Sequence, residues 1–437
     1  MARTRQAVRP WVVKTIAAAA LTLPPPAYAQ IAGSTAAGPP AANTGGQTGP
    51  GDQEAPGGTK VDASRGGITI SSGVNSLTIG ARAQVRWTLD DREAFDADIA
   101  GSGAGEPDGP FSQFDIARLR VTLSGGVYKP WLRYSFQFEA GRTSGEGSSK
   151  IKDALVEFRP VGRNYRISAG QFKVPFGLQQ LTSSGRLQFA DRAITDSKFN
   201  PSRDMGAMVS GTAANRKLGY DVGLFNGSGE SVRQNNRSHL WAARVAFAPL
   251  GPYALSESAV DAPEKGVVHF GLGVRGGKQI RGRTTAAIVD EADNQTAWNL
   301  EFAYKRPRIY TTAEYFRATD EQANPTSRPD LHSAGFHLQG GYMLVPERIE
   351  IALLWARIEG DTDVDDAEVS ELRSGINYFW VAHNLKLQAD IGEVAYGSQF
   401  ASLSARARQG LPVPGPRLVT GDALSDLQVR VQFQLGF

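Results

Sequence analysis

Arg118 and Arg120 stand two residues apart in the run FDIARLRVTLSG (114–125). In an extended strand that spacing sends both guanidiniums to one face, ~7 Å apart. Arg82 and Arg86 share a face in ARAQVRW in the same way, and Arg133 alternates with Leu132 and Tyr134. Fixed positive charge along a narrow passage with low-dielectric walls focuses the field and attracts anions. The competing role for such side chains is pairing across strands with Glu139, Asp153 or Glu157, which only keeps an interior wet. Parity gives the inward face more bases than acids, with the excess on the first five strands.

A second group of bases lies on the long connection 173–204, which carries Lys173, Arg186, Arg192, Lys198 and Arg203 against Asp191, Asp196 and Asp204. Phe176, Leu178, Leu181, Leu187 and Phe189 give it more apolar surface than a solvated loop needs. Such a loop is expected to pack on something, and folded into a barrel it would narrow the pore. Arg118 and Arg120 would then face it across the constriction, where Asp191 or Asp196 could instead clamp them.

Other chemistries find little support. The chain has no cysteine, which removes disulfides, thiolate nucleophiles and Cys-based zinc sites. No histidine has a serine two residues away, as a Ser–His pair on one strand face would need. The DTDVDD run (361–366) lacks the Gly and Glu that close a calcium loop and reads as an acidic loop tip. QIRGR (279–283) reads as a surface loop that could gather anions. No enzyme and no cofactor are expected.

The elements that must hold these side chains are strands. The last residues, DLQVRVQFQLGF (426–437), set Leu427, Val429, Val431, Phe433, Leu435 and Phe437 against polar neighbours at strict alternation. A soluble edge strand of this kind would aggregate, whereas a closing strand between lipid and a wet lumen would not. The same period recurs at 77–87, 114–123, 131–140, 151–159, 164–172, 205–212, 217–225, 239–248, 266–275, 297–305, 308–316, 332–343, 348–357, 370–380, 384–392 and 426–437. Sixteen is even, as a barrel with both ends on the periplasmic side requires, and no apolar run reaches the ~18 residues of a membrane helix. Tight connections (161–163, Arg306-Pro307, 345–347) alternate with long polar ones, and 249–265 stands out as a long periplasmic excursion. Trp87, Trp131, Trp241, Trp298 and Trp380 near strand ends fit interfacial girdles. The expected fold is all-β, a 16-stranded antiparallel transmembrane barrel over 67–437 with an inward-folded loop and an aqueous channel.

Residues 1–29 read as a signal peptide: a basic start, a short apolar core and Ala27-Tyr28-Ala29 before the cleavage point. Cleavage there takes Arg3, Arg5, Arg9 and Lys14 from 47 bases and nothing from 44 acids, so the net charge of +3 becomes −1. Bulk charge then favours no nucleic acid, and only charge placement can select an anion. Residues 30–66, rich in Gly, Pro, Ala, Ser and Thr, read as a disordered periplasmic linker.

The runs FDIARLRVTLSG, KDALVEF (152–158), ISAGQFKVPFGLQQ (167–180) and YDVGLFNGSG (220–229), in this order and spacing, resemble the phosphate-selective porin O/P family. The resemblance covers roughly 67–437 and implies a sixteen-stranded, homotrimeric outer-membrane porin. It implies an anion path lined by arginines of an early strand, here Arg118 and Arg120, and by lysines near the inward loop, here Lys173 of GQFK. Phosphate-selective members tend to carry adjacent arginines where this chain has Ala117-Arg118. The expected partners are small anions such as phosphate, outer-membrane lipid and lipopolysaccharide, and the barrel assembly machinery that reads a terminal aromatic. The candidate substrate-binding residues are Arg118, Arg120, Lys173, Arg192, Arg203, Arg82, Arg86 and Arg133. A non-selective porin and a surface receptor or adhesin barrel are the alternatives.

Overall fold

The computed structural model describes residues 58–63, 67–92, 110–140, 150–232, 238–278, 294–321, 330–412, 421 and 423–437. The signal segment, most of the Gly/Pro-rich stretch and the QIRGR run lie outside these residues. Two short strands, β1 (Lys60–Asp62) and β2 (Ile68–Ser72), precede the main set. That set is β3 (Asn75–Arg92), β4 (Phe111–Gly126), β5 (Leu132–Glu139), β6 (Lys150–Phe158), β7 (Tyr165–Lys173), β8 (Arg203–Ala213), β9 (Leu218–Phe225) and β10 (Leu240–Phe247). It continues with β11 (Val267–Lys278), β12 (Asn294–Arg306), β13 (Ile309–Glu321), β14 (Leu331–Val345), β15 (Ile349–Glu359), β16 (Val369–Val381), β17 (Leu385–Tyr396) and β18 (Leu424–Gly436).

Each strand from β3 onward pairs antiparallel with the next, and β18 closes on β3 from Gly436↔Arg82 to Asp426↔Arg92. The result is the closed 16-strand barrel that the alternation predicts. Every one of the sixteen segments is a strand, the weak MGAMVSGT run included. β2 pairs with the first residues of β3, and β1 pairs with β2, so the sheet begins at Lys60, inside the stretch read as a linker.

Outward residues are apolar and open: Phe114, Val222, Leu353, Leu372 and Leu435 are among the exposed large hydrophobics. So continuous a band exceeds what a soluble monomer leaves bare and suits lipid.

Inside, the connection 174–202 leaves the end of β7 and folds into the lumen. Its two helical turns are α1 (Leu178–Leu181) and α2 (Ile194–Phe199). Phe176, Phe189, Ile194 and Phe199 are buried against Phe316, Leu354, Ala356 and Ile358 of the wall. Burying each such aromatic stabilises the loop by roughly 2–3 kcal/mol. Phe199 stacks on Phe316 at 5.1 Å between ring centroids. This explains why the β15 run IALLWARI is apolar on both faces: one meets lipid, the other the loop. Gly177, at φ 77°, makes the turn, and a Cβ there would collide with the Asn200 side chain.

Two further segments fill the lumen. The connection after β17 lays Phe400, Leu403, Ala407 and Leu411 over the same apolar cluster, with α3 (Ala405–Arg408) held by Lys198 Nζ donating to the Ala407 carbonyl at 2.7 Å. The 249–265 segment, expected to extend into the periplasm, instead turns back into the barrel. Ser256, Glu257 and Ser258 are at most 2% exposed. Its polar groups find more hydrogen-bond partners against the inward loop than the rim could supply.

Candidate functional site

With those three segments in place, open space remains beside β3–β6 and the closing strand β18, reaching β16 and β17 at its outer end. Three cavities follow one another there. The upper, extracellular one has ≈ 420 Å³ and is lined by five basic and five acidic side chains, Arg118, Arg373, Arg430, Asp191 and Glu371 among them. The middle one has ≈ 260 Å³ and sets Arg118, Arg120, Lys150, Lys152, Arg192 and Arg203 against Glu139 and Asp196. The lower one has ≈ 240 Å³ and opens at the periplasmic end; Arg82, Arg120, Arg186 and His383 line it, with no side-chain carboxylate. Arg118 and Arg192 border both upper cavities, and Arg120 borders both lower ones. The lining charge is therefore balanced in the upper cavity and positive in the middle and lower ones.

β3 and β4 supply the wall. Their register places Arg82 opposite Arg120 and Gln84 opposite Arg118, with Ala117 bulged out of the ladder between Arg118 and Ile116. The bulge flips parity on its extracellular side. Asp115 turns inward, Ile116 and Phe114 turn to lipid, and Ala117, which strict alternation puts outward, lines the middle cavity. A second bulge on β6 leaves Lys152 unpaired in register between Ile151 and Asp153. Its ammonium reaches Glu139 and Glu230, each at 3.0 Å. Alternation alone therefore misses Lys152, and with it Lys150 at the end of the same strand.

The sequence candidates divide by partner. Arg118 donates to Asp191 at 2.7 Å and to Gln84 at 3.1 Å. Arg86 reaches Asp191 at 2.6 Å, and Arg430 reaches it at 3.1 Å. One loop carboxylate is thus held by guanidiniums from three strands. Burial would raise its pKa, but the Arg86, Arg118 and Arg430 charges prevail and hold it well below the usual carboxylate range. Arg120 pairs with Glu139 at 2.8 Å and donates to Ser184 Oγ at 2.8 Å. Among the described residues, Arg82 donates to the hydroxyls of Ser183 and Ser184, at 3.1 and 3.0 Å. Arg203 is forked onto Asp153 at 2.8 and 3.3 Å.

Lys173 and Arg192 hold backbone. The Lys173 ammonium donates to the carbonyls of Gln180, Leu181 and Thr182 at 2.6, 3.1 and 3.0 Å. Arg192 donates to Gln179 and Thr182 at 2.9 and 2.8 Å and also borders the passage. Lys173, expected on the anion path, lines none of the three cavities and instead terminates α1. Arg133 sits near the periplasmic end opposite Glu157 and also lines none of them. Arg186, counted only as a loop charge in the sequence, lines the lower cavity.

No curated protein matches in sequence. Among solved structures, an anion-selective porin from Comamonas acidovorans aligns with TM-score 0.54 at 12% identity, over 83% of this chain and 100% of its own. The outer membrane channel DcaP of Acinetobacter baumannii aligns with TM-score 0.49 at 12% identity, over 83% and 97%. At such identity the first likeness speaks for the barrel fold alone. The profile of the family described as phosphate-selective porin O and P matches residues 88–400, most of the chain and every strand from β4 to β17, so the chain belongs to that family and is an outer-membrane porin.

Proposed function

We propose that small inorganic anions, phosphate among them, diffuse passively through the passage beside β3–β6 and β18. The observation that carries this reading is the lower cavity, which is lined by Arg82, Arg120 and Arg186 and by no side-chain carboxylate, the Glu139 partner of Arg120 facing the middle cavity instead. An anion leaving the balanced upper cavity would meet a surplus of positive charge in both cavities beyond it. Arg118, Arg120, Arg192 and Arg203 border the route, and Arg86 braces it. Both the name of the family and the printed title of the Comamonas porin support an anion as the solute. Transport of this kind needs no catalytic residue and no cofactor. The family also supports a homotrimer, set in outer-membrane lipid and lipopolysaccharide after insertion by the barrel assembly machinery.

A second reading has its own support. Arg86, Arg118 and Arg430 converge on Asp191, so these three serve as clamps for the inward loop. The two roles separate along the passage, clamps above and anion guides below. Bi-ionic recording in planar bilayers, chloride on one side and phosphate on the other, tests the proposal. Currents carried by both anions, with potassium a minor carrier, are the expected result; potassium-dominated current would overturn it.

A further inference from the structure

The lower cavity takes one of its three guanidiniums, Arg186, from the segment Ser183–Gln188, and the far side of that segment is held from the periplasmic rim. Glu257 lies in the 249–265 segment and is 2% exposed. Its backbone N–H donates to the Arg186 carbonyl at 2.9 Å. Its carboxylate accepts from the Gln188 N–H at 2.8 Å, from Gln179 Nε2 at 3.0 Å and from Gln339 Nε2 at 2.8 Å. Residues 186–188 therefore dock on Glu257 as on a one-residue strand. The barrel wall grips their other side: Lys386 Nζ donates to the Leu187 carbonyl at 2.7 Å, and Asn377 donates to the Gln188 carbonyl at 2.9 Å.

The segment that presents Glu257 is itself anchored. Lys305 of β12 donates to the Ser256 carbonyl at 2.9 Å and to Asp261 at 2.7 Å. Ala259 and Val260 bury against Tyr310, Met343 and Phe379. A carboxylate buried this deeply among neutral donors persists only because all of them point at it. An amide in its place has one acceptor oxygen where the carboxylate has two, so keeping the Gln188 and Gln339 donors would turn its N–H toward Gln179 Nε2.

We propose that Glu257 is the positioning residue of the anion passage: it fixes the Arg186–Gln188 turn and so holds the Arg186 guanidinium in the lower cavity. This rests on the anion-passage reading. It adds that the selectivity of the pore is set partly by a segment of the periplasmic rim that never lines the route.

The test is a cycle of Glu257→Gln and Arg186→Ala, singly and together, with reversal potential and open-channel noise read in planar bilayers. Arg186→Ala alone tests the passage, and should lower the anion-to-cation permeability ratio several-fold. If it does not, the passage reading fails whatever Glu257 does. Given that shift, Glu257→Gln should lower the ratio by a similar factor and raise the noise, and the double variant should fall no further than Arg186→Ala. Glu257→Asp keeps the charge but shortens the reach, and should give noise with a partial shift. It serves as the variant of record if Glu257→Gln assembles poorly. Independent, multiplying effects in the double variant would overturn the proposal, as would wild-type selectivity in both Glu257 variants.

Discussion

Arg118 Nη2 lies 2.7 Å from Asp191 Oδ1, and that pair ties the second strand of the barrel to the loop that crosses its lumen. Two other guanidiniums share the same carboxylate, yet about a third of the Asp191 side chain still faces the passage, at 34% exposure. It is the point where the first two strands of the barrel, the closing strand and the loop meet.

Asp191→Asn should free Arg86, Arg118 and Arg430 together. The loop loses its charged anchor, and the upper cavity gains one net positive charge. Single-channel records should become noisier, and anion preference should rise. A quiet channel with unchanged selectivity would mean that the apolar contacts alone fix the loop.

The same carboxylate sets a pH expectation. Its pKa is depressed in the folded barrel, so its contribution is present above the unfolded value near ~3.9 and is lost as pH falls through the lower folded value. Conductance noise should therefore stay flat between about pH 8 and pH 5. A rise in noise near pH 6 would place the sensitive group elsewhere.

Ala117→Arg is expected to be a gain of function. The β4 bulge turns position 117 to the middle cavity, where a guanidinium would join Arg118 and Arg120. This is also where phosphate-selective relatives carry adjacent arginines. One added unit charge at short range is worth about 1 kcal/mol in a water-filled site, so the anion-to-cation permeability ratio should rise on the order of fivefold. No change would mean that the side chain leaves the lumen.

Phe199→Ala removes the ring that stacks on Phe316 beneath the inward loop. The loss of packing should cost ~3–5 kcal/mol, borne by the loop rather than by the strand ladder. Limited proteolysis within 174–202 should accelerate while the folded barrel keeps its mobility on unheated gels. An equally protected loop would contradict the packing account.

Much of this architecture is legible as alternation. The sixteen strands, the closing strand at Leu427–Leu435 and the inward course of 174–202 all follow from which side chains are apolar and how they are spaced. Misreadings arise where a backbone irregularity or a distant partner decides the outcome. Ala117 and Lys152 sit at bulges, and a bulge breaks the parity on which inside and outside are assigned. The 249–265 segment carries Ser256, Glu257 and Asp261, polar enough for a rim loop, and only Lys305, Gln188 and Gln339, distant in sequence, draw it inside. Lys173 looked like a pore lysine, but three carbonyls at the end of α1 claim its ammonium. The second inward connection, 400–411, has its apolar residues at helical spacing, a signal that a search for period two passes over.

The passage account is tested most directly by the reversal potential of the Arg82→Ala, Arg186→Ala double variant in a potassium chloride gradient, against the parent channel. Both residues line the lower cavity, and among the described residues neither donates a hydrogen bond to a carboxylate. The account predicts an anion-selective parent and a variant shifted toward cations, with single-channel conductance retained. A variant with the parent's reversal potential, or a parent that already prefers potassium, would contradict it.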